Sequence, residues 1–336
     1  MAVLAGGRSS EHEISLASAR SVVAALDPTR YEVIEIAIGR EGRWELAAAE
    51  PSNRLLQRTI ETLPVLAEAA SPAQALGSVD VVLPILHGPF GEDGTVQGLL
   101  DLAGLPYVGA GVAASALCMD KDLCKKVLRE SGIPVTAHHT IRLGDPVVNP
   151  YGYPVFVKPA RLGSSVGISK AHDPEELETA VALARRHDEK VLVEEFVAGT
   201  EVECGVLGNL RPAPVASVVG EIVPHAEWYD YAAKYDAGGS DIVVPARIPD
   251  ATAARVRELA IAAFVATECE GMARIDFFVR ENGEPVVNEI NTIPGFTETS
   301  VYARLFEAAG IPYAELLDRL IALALERHER RANLEY

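Results

Sequence analysis

The segment Arg274–Asn291 constrains the fold of this chain most, because it has the pattern of a β-hairpin with one polar and one hydrophobic face. Asn282-Gly283 is the strongest short-range signal for a two-residue type I′ turn. Such a turn places Asp276 opposite Glu289. Since alternate residues of a strand share a face, we expect one side of the hairpin to pack into the core. Its residues are Ile275, Phe277, Val279, Val286 and Ile290.

The other face of the hairpin is predicted to carry Arg274 opposite Asn291, next to the Asp276–Glu289 pair. Two carboxylates that face each other repel unless a cation lies between them. Carboxylate and amide oxygens suit Mg²⁺, which usually keeps further positions for water and substrate phosphates. The same pattern also fits a solvated charged face, and a turn with an odd number of residues would shift the pairing by one.

The rest of the chain predicts an α/β protein. Its first third alternates short hydrophobic runs with amphipathic stretches, which indicates a parallel sheet covered by helices. Ser10-x-x-Glu13 has the pattern of a capping box for the first helix. The segment Pro212–Pro245 reads as a long irregular loop, typical of a lid or a disordered segment. Strands are predicted at 2–4, 33–38, 79–86, 154–158, 167–170 and 191–197, and helices at 11–26, 113–130, 174–187, 251–268 and 313–332.

Three further loops have compositions that suit ligand binding, although each alone also fits an ordinary turn. Lys158–Gly167 places a lysine at a strand end before a Gly-Ser loop that can donate to phosphate oxygens, but it is not a Walker P-loop. His87–Gly94 follows a predicted parallel strand, where such sheets bind ligands. In the segment after the hairpin, Gly295 can bring a backbone N–H close to a ligand and Ser300 offers a hydroxyl.

Composition narrows the class of partner. The chain has 336 residues, enough for about two or three domains. Its net charge of −18 disfavours binding to nucleic acid and to anionic membranes, but it does not exclude the binding of a small anion by local cations. The sequence has neither a signal-peptide pattern nor an 18-residue apolar run, and its four cysteines fit no metal motif. We therefore expect a cytoplasmic protein that binds neither nucleic acid nor a membrane.

Eight segments in this order closely resemble the D-alanine–D-alanine ligases, which are ATP-grasp enzymes. They are GGRSSEHEIS (6–15), HGPFGEDGTVQG (87–98), MDK (119–121), KPARLGSSVGISK (158–170), VEEFVAGTEVECGVLGN (193–209), YDYAAKY (229–235), ARIDFF (273–278) and NEINTIPGFTETS (288–300). The resemblance implies an N-terminal Rossmann-like domain (1–115) followed by a two-subdomain ATP-grasp fold. Its small domain would cover 116–198 and its large domain 199–336, with a lid loop at about 221–245.

The same resemblance implies a reaction for peptidoglycan precursor synthesis. ATP phosphorylates the carboxylate of one D-alanine, and the amine of a second D-alanine attacks the acyl phosphate. The implied cofactors are ATP and Mg²⁺ (or Mn²⁺), with a monovalent cation such as K⁺ as a further candidate. The implied assembly is a homodimer.

The resemblance also implies roles for individual residues. Asp276, Glu289 and Asn291 would hold the metal, and Lys121 and Lys158 would hold phosphates. Glu194 and Val197 would contact adenine, with Phe196 packing nearby, and Glu201 would contact the ribose. Glu11 and His87 would bind the first D-alanine, and Lys234 and Ser300 the second. Arg274 and the Gly295 N–H would stabilise oxyanion charge, while Ser164 and Tyr235 would join Glu11 in closing the lid.

Three other functions remain as alternatives. A ligase that takes D-lactate or D-serine second is the nearest, although YDYAAKY resembles the lid of enzymes that use D-alanine. A nicotinamide dehydrogenase would suit the N-terminal pattern, but the G-x-G-x-x-G fingerprint is missing. A non-catalytic ATP-binding protein would have a broken metal or lysine set, whereas both sets are intact in this sequence.

Overall fold

The computed structural model describes residues 1–46, 76–77, 79–224 and 240–335, and these form three β-sheets with helices packed around them. This α/β arrangement confirms the predicted fold class. The first part contains β1 Ala2–Gly6, α1 His12–Ala25, β2 Ile34–Ile38, β3 Trp44–Leu46, β4 Val82–Ile85, α2 Thr95–Leu102 and α3 Val112–Met119.

The N-terminal sheet has the strand order β3-β2-β1-β4, and β1 lies parallel to both β2 and β4 as predicted. The short β3 was not predicted and pairs antiparallel to β2. The predicted capping box is wrong. The N-cap residue of α1 is Glu11, which makes no side-chain capping bond, and Ser9 Oγ instead accepts a hydrogen bond of 3.2 Å from the Glu11 N–H.

The helix predicted over 113–130 is in fact two helices, α3 and α4 Lys121–Glu130. Asp120 separates them with an extended backbone (φ −87°, ψ 94°), and its Oδ1 accepts from the Leu123 N–H at 3.1 Å. An aspartate N-cap therefore starts a new helix where hydrophobic periodicity alone suggested continuity. The break makes Lys121 the first residue of α4.

The central sheet is antiparallel with the strand order β5-β8-β6-β7. Its strands mix polar and hydrophobic residues, and the inner face packs on α5 through a small core that includes Val155, Val157 and Val181. The elements are β5 His138–Ile141, β6 Val155–Pro159, β7 Ser169–Ala171, α5 Pro174–Ala184 and β8 Val191–Glu195.

The third sheet has the order β11-β10-β9-β12-β13 and is also antiparallel. The prediction of an irregular loop at 212–245 is wrong for 215–224 and 240–243, which form β10 and β11. Flanking prolines and a β-bulge between Ala216 and Val219 interrupt the alternation of polar and hydrophobic residues that indicates a strand. Residues 225–239 lie outside the described part. The elements are β9 Gly199–Gly208, β10 Val215–Pro224, β11 Ser240–Val243, α6 Asp250–Ala266, β12 Gly271–Arg280, β13 Pro285–Asn291, α7 Val301–Ala308 and α8 Tyr313–Ala332.

The hairpin β12–β13 has the predicted pairing at its open end but not at its turn. Asp276 lies opposite Glu289, and Arg274 opposite Asn291. Near the turn the pairing is shifted by one residue, because the loop contains three residues and not two: the Arg280 N–H donates to the Glu284 carbonyl oxygen at 2.9 Å. A β-bulge after Asp276 restores the predicted register.

The extra residue of this bulge is Asn288, since Asp276 pairs with Glu289 while Phe277 pairs with Val287. The shift also changes the core face. Val287, and not the predicted Val286, joins the hydrophobic cluster formed with α6, although Val286 is buried too. The bulge thus turns Asn288 away from regular pairing while keeping both carboxylates in line.

Two large hydrophobic clusters join these layers. One packs α1 and α8 on the N-terminal sheet and reaches Phe296 and Tyr302. The other packs α6 on the third sheet. The buried Arg327 of α8 donates to the backbone oxygens of Tyr107 (2.7 Å) and Gly109. Within the described ranges, no helix is both long and apolar enough to cross a membrane.

The left-handed backbone of Gly283 yields the first prediction. Its φ is +84°, and a Cβ there would meet only Thr252 Oγ1 at 3.6 Å, so the cost of a side chain is conformational and not steric. We expect Gly283→Ala to lower the free energy of unfolding by about 1–2 kcal/mol, measured by urea denaturation. The matched substitution Glu281→Ala in the same exposed loop should change it by less than about 0.5 kcal/mol. Equal effects of the two would contradict the left-handed backbone at Gly283.

Candidate active site

A row of three carboxylates crosses the third sheet. Glu203 on β9 pairs with Asp276 on β12, which pairs with Glu289 on β13. Residues that pair directly across strands project to the same face of the sheet. Glu203 was not predicted from the sequence, since its place beside Asp276 depends on a pairing between β9 and β12 that no local motif reports.

Two cations offset part of the negative charge of this row. Arg274 makes a bidentate contact with Asp276, with Nε 2.7 Å from Oδ1 and Nη2 2.8 Å from Oδ2, and its Nε is 2.9 Å from Glu203 Oε2. The buried Lys121 Nζ is 3.2 Å from Glu289 Oε2 and donates to the Leu162 carbonyl oxygen at 2.8 Å. The predicted Arg274 and Lys121 are therefore both at the carboxylates.

The predicted metal ligands also come together. Asp276 and Glu289 are opposed on one face, and Asn291 Nδ2 is 2.9 Å from Asp276 Oδ2. Two carboxylates and an amide oxygen form a hard donor set that fits Mg²⁺. Among the described residues there is no group of three His, Cys, Asp or Glu side chains that could hold a metal. A site built on these donors therefore needs the amide oxygen and further ligands from outside the protein.

A second buried charge cluster surrounds the predicted Glu194 and Lys158. Lys158 Nζ lies 2.6 Å from Glu194 Oε2 and donates to Asn288 Oδ1 at 3.1 Å. Glu194 Oε1 accepts a hydrogen bond from Lys125 of α4. The sequence does not single out Lys125, because it is one of several charged residues on an amphipathic helix. Burial alone would raise the pKa of Glu194, but Lys125 and Lys158 outweigh it and lower the pKa to about 2. Glu194 is thus a fixed anion.

The connection between β8 and β9 carries the residues predicted to contact a nucleoside. Val197 is buried, whereas Phe196 is 41% exposed, with its ring centroid 6.3 Å from that of Phe156. Lys170 Nζ lies 4.5 Å from the Phe196 ring centroid. Glu201 follows on β9, two residues before Glu203 and so on the same face of the strand. Phe196 and Val197 follow the buried Glu194 by two and three residues along the chain.

Loops of the N-terminal part and the loop after β6 bring Glu11, His87 and Ser164 to the same region. The Ser164 hydroxyl donates to Glu11 Oε1, which ties the loop after β6 to the start of α1. Ser164 has φ +54°, a left-handed conformation that is uncommon for serine. His87 is buried, with Nδ1 3.0 Å from the Ile293 carbonyl oxygen and Nε2 without a hydrogen-bond partner among the described residues. Burial lowers the pKa of His87, so its ring is neutral at neutral pH.

Glu92 is a further acid, partly buried, that the sequence analysis did not single out, although it lies in the segment HGPFGEDG. Its Oε2 accepts from the Gly88 N–H at 2.7 Å and its Oε1 from the Ile293 N–H at 3.0 Å. Glu92 therefore joins the loop after β4 to the loop after β13. Burial, reinforced by the nearby charge of Glu11, raises the pKa of Glu92 to about 8.

The loop between β13 and α7 holds the predicted Gly295 and Ser300 together. A Cβ at Gly295 would lie 3.4 Å from Ser300 Oγ, so the backbone passes close to this hydroxyl. Ser300 Oγ also accepts from the Thr297 N–H at 3.0 Å. The predicted Lys234 and Tyr235, together with most of the predicted lid, lie outside the described residues.

The raised pKa of Glu92 predicts a pH dependence of stability. The folded protein keeps a proton that the unfolded chain has released between about pH 4.5 and 8, so the free energy of unfolding falls as the pH rises through this window. Glu92→Gln does not titrate and should lose less stability between pH 5 and 8, by on the order of 1 kcal/mol or more in denaturant titrations. The exposed Glu178→Gln is the control and should follow the wild type. Parallel curves for all three proteins would refute the shift.

Comparison with known proteins gives one consistent family. A family model described as "D-ala D-ala ligase N-terminus" matches residues 1–110, and one described as "D-ala D-ala ligase C-terminus" matches residues 127–322. A D-alanine–D-alanine ligase of Solibacter usitatus is 47% identical, over 98% of this chain and 97% of the relative. The solved D-alanine–D-alanine ligase of Coxiella burnetii has a TM-score of 0.84 at 41% identity, covering 98% of this chain and 95% of its own. The VanG D-Ala:D-Ser ligase of Enterococcus faecalis has a TM-score of 0.82 at 37% identity, covering 96% and 98%.

Proposed function

This chain belongs to the D-alanine–D-alanine ligase family and is an ATP-dependent ligase, and we propose that it joins two D-alanine molecules through an acyl phosphate for peptidoglycan precursor synthesis. The observation that supports this most strongly is the alignment of Asp276 and Glu289 with Arg274 and Lys121 around them. It combines donors for a hard cation with cations for phosphate oxygens in one place.

Asp276, Glu289 and Asn291 would hold Mg²⁺ or Mn²⁺, which when bound would withdraw charge from the phosphates of ATP. Lys121 and Lys158 are proposed as the phosphate ligands from the protein. Both are buried and held by carboxylates, so each ammonium is already desolvated and oriented.

Glu11 is proposed to bind the ammonium of the first D-alanine, with His87 at the same subsite. The neutral His87 ring suits a role that needs no extra positive charge beside an ammonium. Ser164 fixes the Glu11 carboxylate by its hydrogen bond. The first substrate would thus be held by α1 and the loop after β4.

Arg274 and the Gly295 N–H are proposed to stabilise negative charge during acyl transfer. Arg274 is anchored by two acids, which limits its motion and keeps its guanidinium facing the carboxylate row. Ser300 and Lys234 are proposed to bind the carboxylate of the second substrate. Tyr235 and the lid around it would exclude water from an acyl phosphate that otherwise hydrolyses.

Adenine is proposed to lie on the β8–β9 connection, with Glu194, Phe196 and Val197 around the base and Glu201 at the ribose. We propose the division into domains at 1–115, 116–198 and 199–336, a cytoplasmic location and a homodimer. A monovalent cation such as K⁺ is proposed as an activator.

The second substrate is the step at which an alternative has support. The VanG D-Ala:D-Ser ligase matches this chain along nearly its full length. We expect dipeptide formation with D-alanine, ATP and Mg²⁺, measured as phosphate release and product mass. When D-serine or D-lactate is offered together with D-alanine, the yield of mixed product should be less than about a tenth of the yield of D-alanyl-D-alanine. This ratio corresponds to a discrimination of about 1.4 kcal/mol. Equal or greater yields with D-serine would transfer the assignment to a D-alanine–D-serine ligase.

Glu289→Gln tests the metal site. The amide keeps the size of the side chain but removes the charge that balances Lys121, and we expect kcat to fall at least about a hundredfold. Glu281→Gln makes the same exchange in the exposed loop of the same hairpin and should leave kcat unchanged. Both proteins should show native circular dichroism. Near-normal turnover by a folded Glu289→Gln variant would refute the metal role.

A further inference from the structure

Lys125 is a fully buried ammonium on α4 to which none of the roles above applies. It is 1% exposed, its Nζ donates to Thr136 Oγ1 at 2.6 Å, and it also bonds Glu194 Oε1. Burying a charged group is unfavourable unless it is paired and hydrogen-bonded. The ion pair of this lysine is made with one residue of the proposed nucleotide site, Glu194.

Glu194 is shared between two lysines that differ in their surroundings. Oε1 faces Lys125, and Oε2 lies 2.6 Å from Lys158 Nζ. Lys125 projects from α4 and is fixed by Thr136, whose N–H donates to the Val287 carbonyl oxygen at 3.0 Å. Lys158 lies at the end of β6, next to the Gly-Ser loop. One carboxylate thus has a fixed cation on one side and a cation proposed for phosphate on the other.

We propose that Lys125 is a positioning residue for the nucleotide: it holds the Glu194 carboxylate and balances its charge, so that the Lys158 ammonium can turn from Glu194 to the phosphates of ATP. This inference rests on the proposed roles of Lys158 and Glu194. Without Lys125, the departure of Lys158 would leave Glu194 as an unpaired buried anion, which is strongly unfavourable. Lys158 would then stay on Glu194 and the phosphates would lose a ligand.

The chain offers a matched control in the next residue. Lys126 is on the same helix but is 49% exposed, and its Nζ lies 2.9 Å from Asp122 Oδ1. Lys125→Met and Lys126→Met therefore make the same chemical change one position apart. Only the first removes a charge from Glu194.

The test compares these variants in ATP binding and in ligation. Isothermal titration with ATP and Mg²⁺, without D-alanine, should show affinity weakened about tenfold or more for Lys125→Met and unchanged for Lys126→Met. In steady state the KM for ATP should rise by a similar factor while the KM for D-alanine changes less than about twofold. A folded Lys125→Met protein with wild-type ATP affinity would overturn the proposal. Equal increases in both KM values would indicate a general structural role and would also overturn it.

A double-mutant cycle with Glu194→Gln separates charge balance from packing. If Lys125 acts through the charge of Glu194, Lys125→Met should weaken ATP binding less than about threefold in the Glu194→Gln background. The same tenfold loss in both backgrounds would exclude the proposed coupling. If Lys125→Met alone fails to fold, the ATP affinity of the double variant is compared with that of Glu194→Gln. A tenfold difference between these two proteins would still exclude the proposed coupling.

The two proposals fail in different ways. If the wild type binds ATP but makes no dipeptide, the proposed reaction is wrong, while the binding titrations still test Lys125. If the wild type ligates D-alanine and Lys125→Met retains ATP affinity, only the inference on Lys125 is wrong.

Discussion

Electrostatic repulsion within the third sheet is the constraint on which the rest of the site depends. Strand pairing brings Glu203, Asp276 and Glu289 into one row, and such an arrangement is stable only with cations close by. Arg274 lies on the same strand as Asp276, whereas Lys121 belongs to helix α4, outside the sheet. The packing of α4 against the hairpin therefore adds a second cation to the one that the sheet itself supplies.

Helix α4 serves both charge clusters. Lys121 and Lys125 are four residues apart, which places them on one face of the helix, one turn from each other. The first meets Glu289 of the third sheet and the second meets Glu194 of the central sheet. The break at Asp120 makes Lys121 the first residue of this helix. The N-cap therefore determines where Lys121 and Lys125 lie relative to the third and the central sheet.

The sequence is sufficient for the fold class and for the pairing of Asp276 with Glu289, but not for the path of the chain between them. It predicts a two-residue turn, whereas the hairpin has a three-residue loop and a bulge at Asn288 whose shifts in register cancel each other. Glu203, Glu92 and Lys125 were missed because their roles arise from contacts between segments distant in the chain. Local patterns predict strands, loops and paired positions; they do not report which buried charge faces which.

The bulge in the hairpin also links the acidic row to the second charge cluster. The loop of a hairpin normally fixes the register of both strands. Here the facing of Asp276 and Glu289 depends on the bulge as well, because the bulge makes up the one residue by which the three-residue loop shifts the pairing. The bulged residue, Asn288, also accepts a hydrogen bond from Lys158. A change that removed the bulge would therefore alter both the pairing of the two carboxylates and a contact of the proposed phosphate lysine.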